Sequence, residues 1–139
     1  MWHEKPDGYF TSEEWTTLHP APVVEISLEE LKEAKKAEIA AARYEAETAG
    51  IRYGDYEIAT DRDSQSLITG AALAAIQDTS YAVRWKTRSG FITLTSGQIL
   101  TAAQAVRAHV QECFDKEADL AAAIDEAESI AALENIVWT

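Results

Sequence analysis

The order of elements is clearest in residues 81–114, YAVRWKTRSGFITLTSGQILTAAQAVRAHVQECF. Side chains over residues 81–86 alternate with a period of two, which is typical of a β-strand that exposes one face. Residues 87–90 are turn formers, and residues 91–94 predict a second strand that pairs with the first. This segment therefore predicts an antiparallel β-hairpin.

The same segment then predicts the longest helix of the chain. Thr95 and Gln98 have the spacing of a capping box, in which two side chains satisfy backbone amides at the start of a helix. Apolar side chains follow at alternating steps of three and four residues, a near-heptad seam that Glu117 interrupts. The seam comprises Ile99, Ala103, Val106, Val110, Cys113, Leu120 and Ile124. It predicts antiparallel packing inside the domain, or one seam of an oligomer.

A helix and a short hairpin are predicted upstream of this segment. Ser27 and Glu30 form another capping-box pattern, and the apolar stripe that follows is narrow and rich in alanine. Its members are Leu28, Leu31, Ala34 or Lys35, Ile39, Ala42 and Ala46. Gly50 is suited to the left-handed residue after the helix, and residues 51–58 predict a hairpin around a Gly-Asp turn.

A further helix lies between the two predicted hairpins. Thr60 or Asp61 is its expected N-cap, and the helix ends near Asp78. Its expected buried side comprises Leu67, Ile68, Ala71, Ala72, Ala75 and Ile76. Ser129 is the expected cap of a last short helix. The predicted fold class is therefore α+β and helix-dominated, in the order arm–α–ββ–α–ββ–α–α, with two short β-hairpins packed on alanine-rich helices.

The 139 residues are enough for one domain, which we assign to residues 27–139, preceded by an N-terminal arm over residues 1–26. The arm carries four large aromatic side chains among polar residues: Trp2, Tyr9, Phe10 and Trp15. Pro20 and Pro22 disfavour a helix and extend the chain toward polyproline II. Aromatic side chains of this kind either cover the domain's own core or anchor it to a neighbour. The four aromatic residues are therefore the candidate partner-binding site.

The chain carries 24 acidic and 12 basic side chains, for a net charge of −12. This charge should repel nucleic acid and anionic membranes. Residues 79–111 contain no acidic residue, whereas the part after them is strongly acidic. The sequence has no run of about 20 apolar residues for a membrane span. We therefore expect neither a nucleic-acid nor a membrane partner.

The N-terminal residues and the cysteine content predict where the protein is made. The first residues lack the apolar core of a signal peptide. Cys113 is the single cysteine, so no disulfide can form within the chain. Both observations predict synthesis in a reducing cytosol.

No catalytic or metal-binding constellation stands out. His109 and Cys113 are four residues apart on the predicted long helix, but two further ligands are missing. Residues 61–72 resemble the start of a calcium loop, yet Ser66 replaces the required glycine and Ala72 the required glutamate. A carboxylate pair for hydrolysis would need a cleft, for which a small helical domain has little material. The sequence therefore predicts a protein that is not an enzyme and has no cofactor.

Three stretches carry a resemblance to a known family. They read KKAEIAAARYEAETAGIRYGDYEIATDRDSQSLITGA at residues 35–71, VRWKTRSGFITLTSGQILTAAQAVRAHVQECF at 83–114 and LAAAIDEAESIAALENIVW at 120–138. With their hairpins, their Asp-x-x-Ser-Gln helix start and their Trp-containing strand, they resemble a domain of unknown function found in tailed bacteriophages and prophages. Members of that family are encoded among tail and tail-fibre genes. The resemblance leaves out the arm.

This resemblance implies a phage tail-associated structural protein or a tail-fibre assembly protein that acts through protein–protein binding. Its partners would be other phage tail or tail-fibre proteins, and a homo-oligomer is expected. The protein would be made in the host cytoplasm and could enter the virion tail. The family has no established catalytic residues to transfer. The acidic C-terminal helix keeps a second hypothesis open, an acidic phage inhibitor of a host protein that mimics nucleic acid.

Overall fold

The computed structural model describes residues 26–139, and its elements follow the order predicted after the arm. The four candidate partner-binding residues of the arm, Trp2, Tyr9, Phe10 and Trp15, lie outside the described residues. The described part consists of helices and two antiparallel hairpins. This confirms the helix-dominated α+β class.

The first helix and the first hairpin follow each other closely. Helix α1 spans Leu28–Glu47, and the Ser27 side chain accepts a backbone hydrogen bond in its first turn at 3.1 Å. Gly50 adopts a φ of +94° after the helix, in the left-handed region, as predicted. Strands β1 (Ile51–Tyr53) and β2 (Tyr56–Ile58) then pair antiparallel around the predicted two-residue turn.

The buried face of α1 is more polar than predicted. Ile39 is buried, but the other two buried side chains of α1 are Lys32 and Glu47, which the expected apolar stripe does not contain. The Lys32 ammonium donates to the Asp125 backbone carbonyl at 2.9 Å, and Glu47 accepts hydrogen bonds from arginine side chains. Buried charges persist only when they are paired in this way.

The second helix, α2, spans Arg62–Gln77. Asp61 is its N-cap, and the Asp61 carboxylate accepts a hydrogen bond from the Ser64 amide at 3.2 Å. The predicted buried residues Ile68, Ala71 and Ala75 are buried, and Ala72 is half-buried. The prediction is wrong for Leu67 and Ile76, which are 64% and 67% exposed. Because α2 packs mainly against one other helix, only a narrow stripe is covered and both of its flanks are open.

The second hairpin leads into the longest helix without a loop. Strands β3 (Ala82–Thr87) and β4 (Gly90–Thr95) pair antiparallel, and helix α3 spans Ser96–Glu126. The predicted capping box is complete. The Gln98 amide donates to the Thr95 hydroxyl at 3.3 Å, and the Thr95 amide donates to the Gln98 side chain at 2.9 Å.

Two hydrophobic cores form along helix α3, whose 31 residues extend for about 46 Å. Its N-terminal half packs with α2 and the hairpins around the hairpin core, which consists of Ile58, Ile68, Ala71, Ala75, Leu94, Ile99, Ala102, Val106 and Val110. Its C-terminal half packs with α1, and α1 also contacts the short helix α4 (Ile130–Glu134), which Ser129 caps as predicted. The α1 core at this end consists of Ile39, Ile124, Ala127 and Leu133. The near-heptad seam is therefore used inside the domain.

Candidate partner-binding groove

An open groove with a volume of about 670 Å³ lies between the two hairpins, where α1 ends and α2 begins. It is lined by residues 48–52, 57–59 and 85–88 and by Asp61, Ser64 and Leu67. This corrects the expectation that so small a helical domain has little material for a cleft.

The groove offers apolar surface to a partner. The Leu67 side chain is 64% exposed in the groove lining. Trp85 and Ile51 also line the groove and are partly buried against the hairpin core. Large apolar side chains that pack against the core on one side and are exposed to solvent on the other are typical of surfaces where another protein docks.

Two of the strands that contribute to the groove lining each have one unpaired edge. Each hairpin is a separate two-stranded sheet, so β2 and β3 each have one hydrogen-bonded neighbour. Residues of both strands line the groove, and the two strands contact each other. An extended peptide can pair with such an edge through backbone hydrogen bonds, which is the binding mode called strand addition.

The charges around the groove are mixed, with a small basic excess. The basic lining residues are Arg52, Lys86 and Arg88, and the acidic ones are Glu57 and Asp61. Arg88 lies 3.4 Å from Glu57, and because these side chains are 81% and 46% exposed, the pair contributes little and can rearrange. The Asp61 carboxylate accepts hydrogen bonds from Ser64 at the start of α2, and these hydrogen bonds lower the pKa of Asp61. A partner therefore meets basic side chains here, on a chain of net charge −12.

Thr60 fixes the wall that follows α1. Its buried hydroxyl donates to the Glu47 carbonyl at 2.7 Å and accepts from the Gly50 amide at 2.8 Å. A Cβ at Gly50 would lie 3.3 Å from the Ile58 carbonyl oxygen, in a backbone conformation that other residues rarely adopt. The sharp exit from α1, and with it the position of residues 48–50, therefore depends on this glycine.

A buried carboxylate, that of Glu47, joins α1 to α2 beside the groove. It is 1% exposed and accepts hydrogen bonds from Arg43 at 2.6 Å, Arg62 at 2.5 Å and Gln65 at 2.9 Å. Burial by itself raises the pKa of Glu47, but the hydrogen bonds from Arg62, Gln65 and Arg43 outweigh burial and lower the pKa to about 2. The carboxylate is therefore ionised at neutral pH although it is buried.

Arg43 extends these contacts to α3. Its Nε donates to the Glu117 carboxylate at 2.8 Å, and its guanidinium lies 4.4 Å from the centre of the Phe114 ring. Glu117 is the residue that interrupts the predicted apolar seam, and this ion pair explains the interruption. The cluster of Arg43, Glu47, Arg62, Gln65 and Glu117, called the Glu47 network below, links three helices.

The Glu47 network is absent from the sequence-based expectations. The one local sign of it is the spacing of Arg43 and Glu47, which are neighbours on one face of a helix. The other contacts join residues that are distant in the sequence: Arg62 follows Glu47 by 15 positions, and Glu117 follows Arg43 by 74. Only the packing of the three helices brings these groups together.

The residues that the sequence raised for chemistry make ordinary structural contacts. The His109 Nε2 donates to the Ala46 carbonyl at 2.9 Å, and the Cys113 Sγ lies 3.9 Å from the same nitrogen. Burial raises the pKa of the Cys113 thiol. Asp61, the first residue of the calcium-loop pattern, caps α2. Within residues 26–139, no group of three or more His, Cys, Asp or Glu side chains is placed to hold a metal ion.

A family model described as "Domain of unknown function (DUF4376)" matches residues 30–137. The chain belongs to this family. The match includes both hairpins, every residue that lines the groove and the whole Glu47 network, and it leaves out the arm. The predicted membership of a family of unknown function is confirmed, and the association with phage tails stays a prediction. No curated protein and no solved structure matches the chain.

Among the helices of residues 26–139, none has the length and apolar character that crossing a bilayer requires.

Proposed function

We propose that this protein is a phage tail-associated structural or tail-fibre assembly protein that acts through protein–protein binding. The observation that supports the binding role is the groove, where exposed Leu67 and partly buried Trp85 lie near two strand edges. The phage-tail role is based on the resemblance of the three stretches quoted above. The groove and the arm are the two surfaces that we assign to partners.

The groove suits an extended protein segment. The edges of β2 and β3 offer backbone hydrogen bonds to a peptide, while Leu67 and Trp85 offer apolar contacts to its side chains. The basic lining residues favour a partner segment that carries acidic side chains. This combination of backbone, apolar and charged contacts can recognise one segment among many.

A homo-oligomer is part of the proposal. Ile76 is 67% exposed on the flank of α2 that faces away from Leu67. A second copy that covered it would gain roughly 25 cal/mol for each Å² of apolar surface removed from water. This flank is available for that role, whereas the seam of α3 is buried inside the domain.

Affinity capture from phage-producing cells tests the proposed function. The tagged full-length protein is compared with Leu67→Glu and with Leu73→Glu, which makes the same change on the same helix at similar exposure. We expect tail or tail-fibre proteins to be retained by the natural chain and by Leu73→Glu. Leu67→Glu should retain them at least about tenfold less, which corresponds to about 1.4 kcal/mol of binding free energy.

Two results would contradict the proposal. Retention of no tail or tail-fibre protein by the natural chain would exclude the phage-tail role. Equal retention by Leu67→Glu and Leu73→Glu would exclude the groove as the binding surface. Circular dichroism and urea unfolding of both variants establish that each is folded, which is expected because both side chains are exposed.

The acidic C-terminal part of α3, together with the loop that follows it, supports a second candidate, an inhibitor that mimics nucleic acid. Asp119 and Glu128 are exposed, as this role requires. Asp125, in contrast, pairs with Lys36 of α1 at 2.6 Å and so also acts within the domain. Capture of a host nucleic-acid-binding protein, lost at high salt and on charge reversal of Asp119 and Glu128, would favour this candidate over the tail role.

A further inference from the structure

The outer face of the β3–β4 hairpin is exposed and carries basic but no acidic side chains. Successive side chains of a strand point to opposite faces, so every second residue of β3 and β4 lies on this face. Lys86 lies opposite Phe91 and Arg84 lies opposite Thr93, and all four side chains are exposed, Phe91 by 68%. These four residues are called the hairpin face below. Among the ion pairs within residues 26–139, none involves Arg84 or Lys86.

The C-terminal half of α3 presents the opposite charge along one of its faces. Residues that are three, four or seven positions apart share one face of a helix. Glu112, Asp115, Asp119, Ala122 and Glu126 follow this spacing, and all five are exposed. They are called the acidic stripe below. The ion pairs within residues 26–139 use other carboxylates of α3, so the stripe is unpaired in this part of the chain.

The two surfaces match in length and in the spacing of their charges. The six residues of β3 extend for about 20 Å, and the acidic stripe rises about 21 Å along α3. Arg84 and Lys86 are about 6.7 Å apart along the strand, and Asp115 and Asp119 are about 6 Å apart along the helix. The small side chain of Ala122 leaves room for an aromatic ring between the carboxylates on either side of it.

We propose that the hairpin face of one copy docks on the acidic stripe of a second copy of this chain. Arg84 and Lys86 pair with carboxylates of the stripe, and Phe91 packs against Ala122. Two chains of net charge −12 repel each other as a whole. At physiological salt, however, charges more than about 8 Å apart are largely screened, whereas groups in direct contact are screened less. The local match of opposite charges therefore decides how two copies meet.

This contact joins two different surfaces, so it does not close on itself in a dimer. Each bound pair still has one free hairpin face and one free acidic stripe, and further copies can add until a ring closes or a fibre grows. The inference rests on the proposed function in expecting a homo-oligomer, and it adds a contact other than the flank of α2 that exposes Ile76.

Sedimentation velocity of the purified full-length chain tests the inference without any other protein. Over a series of concentrations at a salt concentration of about 0.15 M, we expect dimers and larger species to form. At about 1 M salt, where the screening length falls to about 3 Å, they should dissociate. Self-association that is equally strong at both salt concentrations would overturn the inference.

Two charge-reversal variants locate the contact. The hairpin variant carries Arg84→Glu and Lys86→Glu, and the stripe variant carries Asp119→Lys and Glu126→Lys. Each should self-associate at least about tenfold more weakly than the natural chain, which corresponds to about 1.4 kcal/mol. A mixture of the two variants should regain association, because each keeps the surface that the other has lost. A mixture that associates no better than either variant alone would contradict the pairing of two different surfaces.

A matched control separates the local contact from overall charge. The double change Arg52→Glu and Arg107→Glu alters the net charge as the hairpin variant does, at two exposed positions outside both surfaces. Arg52 also lines the groove, as Lys86 does. The control should associate like the natural chain, and weakening equal to that of the hairpin variant would overturn the contact. Circular dichroism establishes that every variant is folded, which is expected because the changed side chains are exposed.

The outcomes separate this inference from the proposed function. Self-association that survives in both charge-reversal variants but is lost in Ile76→Glu would overturn this contact and leave the homo-oligomer in place. A natural chain that stays monomeric would overturn both the contact and the homo-oligomer. The groove is tested by a different measurement, the capture of tail proteins by Leu67→Glu and its control, so neither result decides whether the groove binds them.

Discussion

The N-terminal half of α3 packs against α2 and the hairpins in a core of nine buried apolar residues, whereas the α1 core at its other end has four. Charged contacts supplement the smaller core. Arg43 pairs with Glu117 at 2.8 Å, and Asp125 binds α1 through both its side chain and its backbone carbonyl. Apolar burial therefore holds the hairpins and α2 in place, while α1 depends in addition on ionised groups.

This difference bears on the groove, because the groove has one wall from each region. Residues 85–88 belong to the hairpin that packs on the larger core, whereas residues 48–50 follow directly from α1. The Glu47 network joins the two regions beside the groove. The shape of the groove should therefore be insensitive to pH and salt on one side and sensitive to both on the other.

The largest effect is expected in the hairpin core. Ile99 is fully buried there, and Ile99→Ala should lower the free energy of unfolding by about 2–5 kcal/mol, through lost burial and the cavity that is left. Urea unfolding at low and high salt should give the same loss. Leu73→Ala, at an exposed position, is the control and should change stability by less than about 0.5 kcal/mol. A loss for Ile99→Ala that changes strongly with salt would break the comparison.

The next largest effect is expected at the junction. Glu47→Gln keeps the shape of the side chain but leaves Arg43 and Arg62 facing a neutral amide. Arg62 is 54% exposed and can return to water, so we expect a loss of about 3 kcal/mol, at the lower end for a broken buried pair. Urea unfolding at neutral pH measures this loss. A loss below the error of the measurement would show that the network contributes nothing to stability.

The same residue predicts a dependence on pH. The pKa of Glu47 is about 2 in the folded chain and 4.5 ordinarily, so the ionised carboxylate stabilises the fold. This contribution is complete above about pH 4.5 and is lost as the pH falls to about 2, for a total of about 3 kcal/mol at 1.36 kcal/mol per pKa unit. The stability of Glu47→Gln should fall less steeply over this range. Equal slopes for the two proteins would contradict the assignment.

A smaller effect is expected where the chain leaves α1. Gly50→Ala should cost about 1–2 kcal/mol, because the left-handed conformation is strained for alanine and its Cβ would approach the Ile58 carbonyl oxygen. Gly70→Ala is the matched control. Gly70 lies inside α2 with nothing within 4 Å of an added Cβ, so alanine should stabilise the protein there by up to about 1 kcal/mol. The same sign for both changes in thermal unfolding would refute this account.

The smallest effect is expected for Lys36→Gln. Lys36 pairs with Asp125 at 2.6 Å. The hydrogen bond to the Asp125 carboxylate and the charge of that carboxylate raise the pKa of Lys36. The side chains of Lys36 and Asp125 are, however, 33% and 62% exposed. Water and salt screen such a pair. Thermal unfolding should show a slight decrease in midpoint at low salt and none at high salt. A decrease that persists at high salt would point to a packing role for the side chain.

Sequence patterns that act over a few residues predicted the helices and strands. The burial of side chains and the groove depend on contacts between residues that are distant in the sequence. Capping patterns at Thr95 and Ser129 and the turn at Gly54 act within a few residues, so the sequence alone located those helices and hairpins. The burial of Glu47 and the exposure of Leu67 depend on which helices lie beside α1 and α2. The groove could not be predicted from the sequence for the same reason, because its lining residues come from segments that are up to 40 positions apart.

Native-state hydrogen exchange on the full chain, followed as the pH is lowered from 7 to about 3, tests the central contrast most directly. Local opening exposes amides region by region, so regions held by different forces can be separated. After correction for intrinsic exchange rates, the amides of residues 28–47 should lose protection before those of residues 62–77 and 96–110. Loss of protection in all three segments together would contradict the claim that the two walls of the groove are held by different interactions.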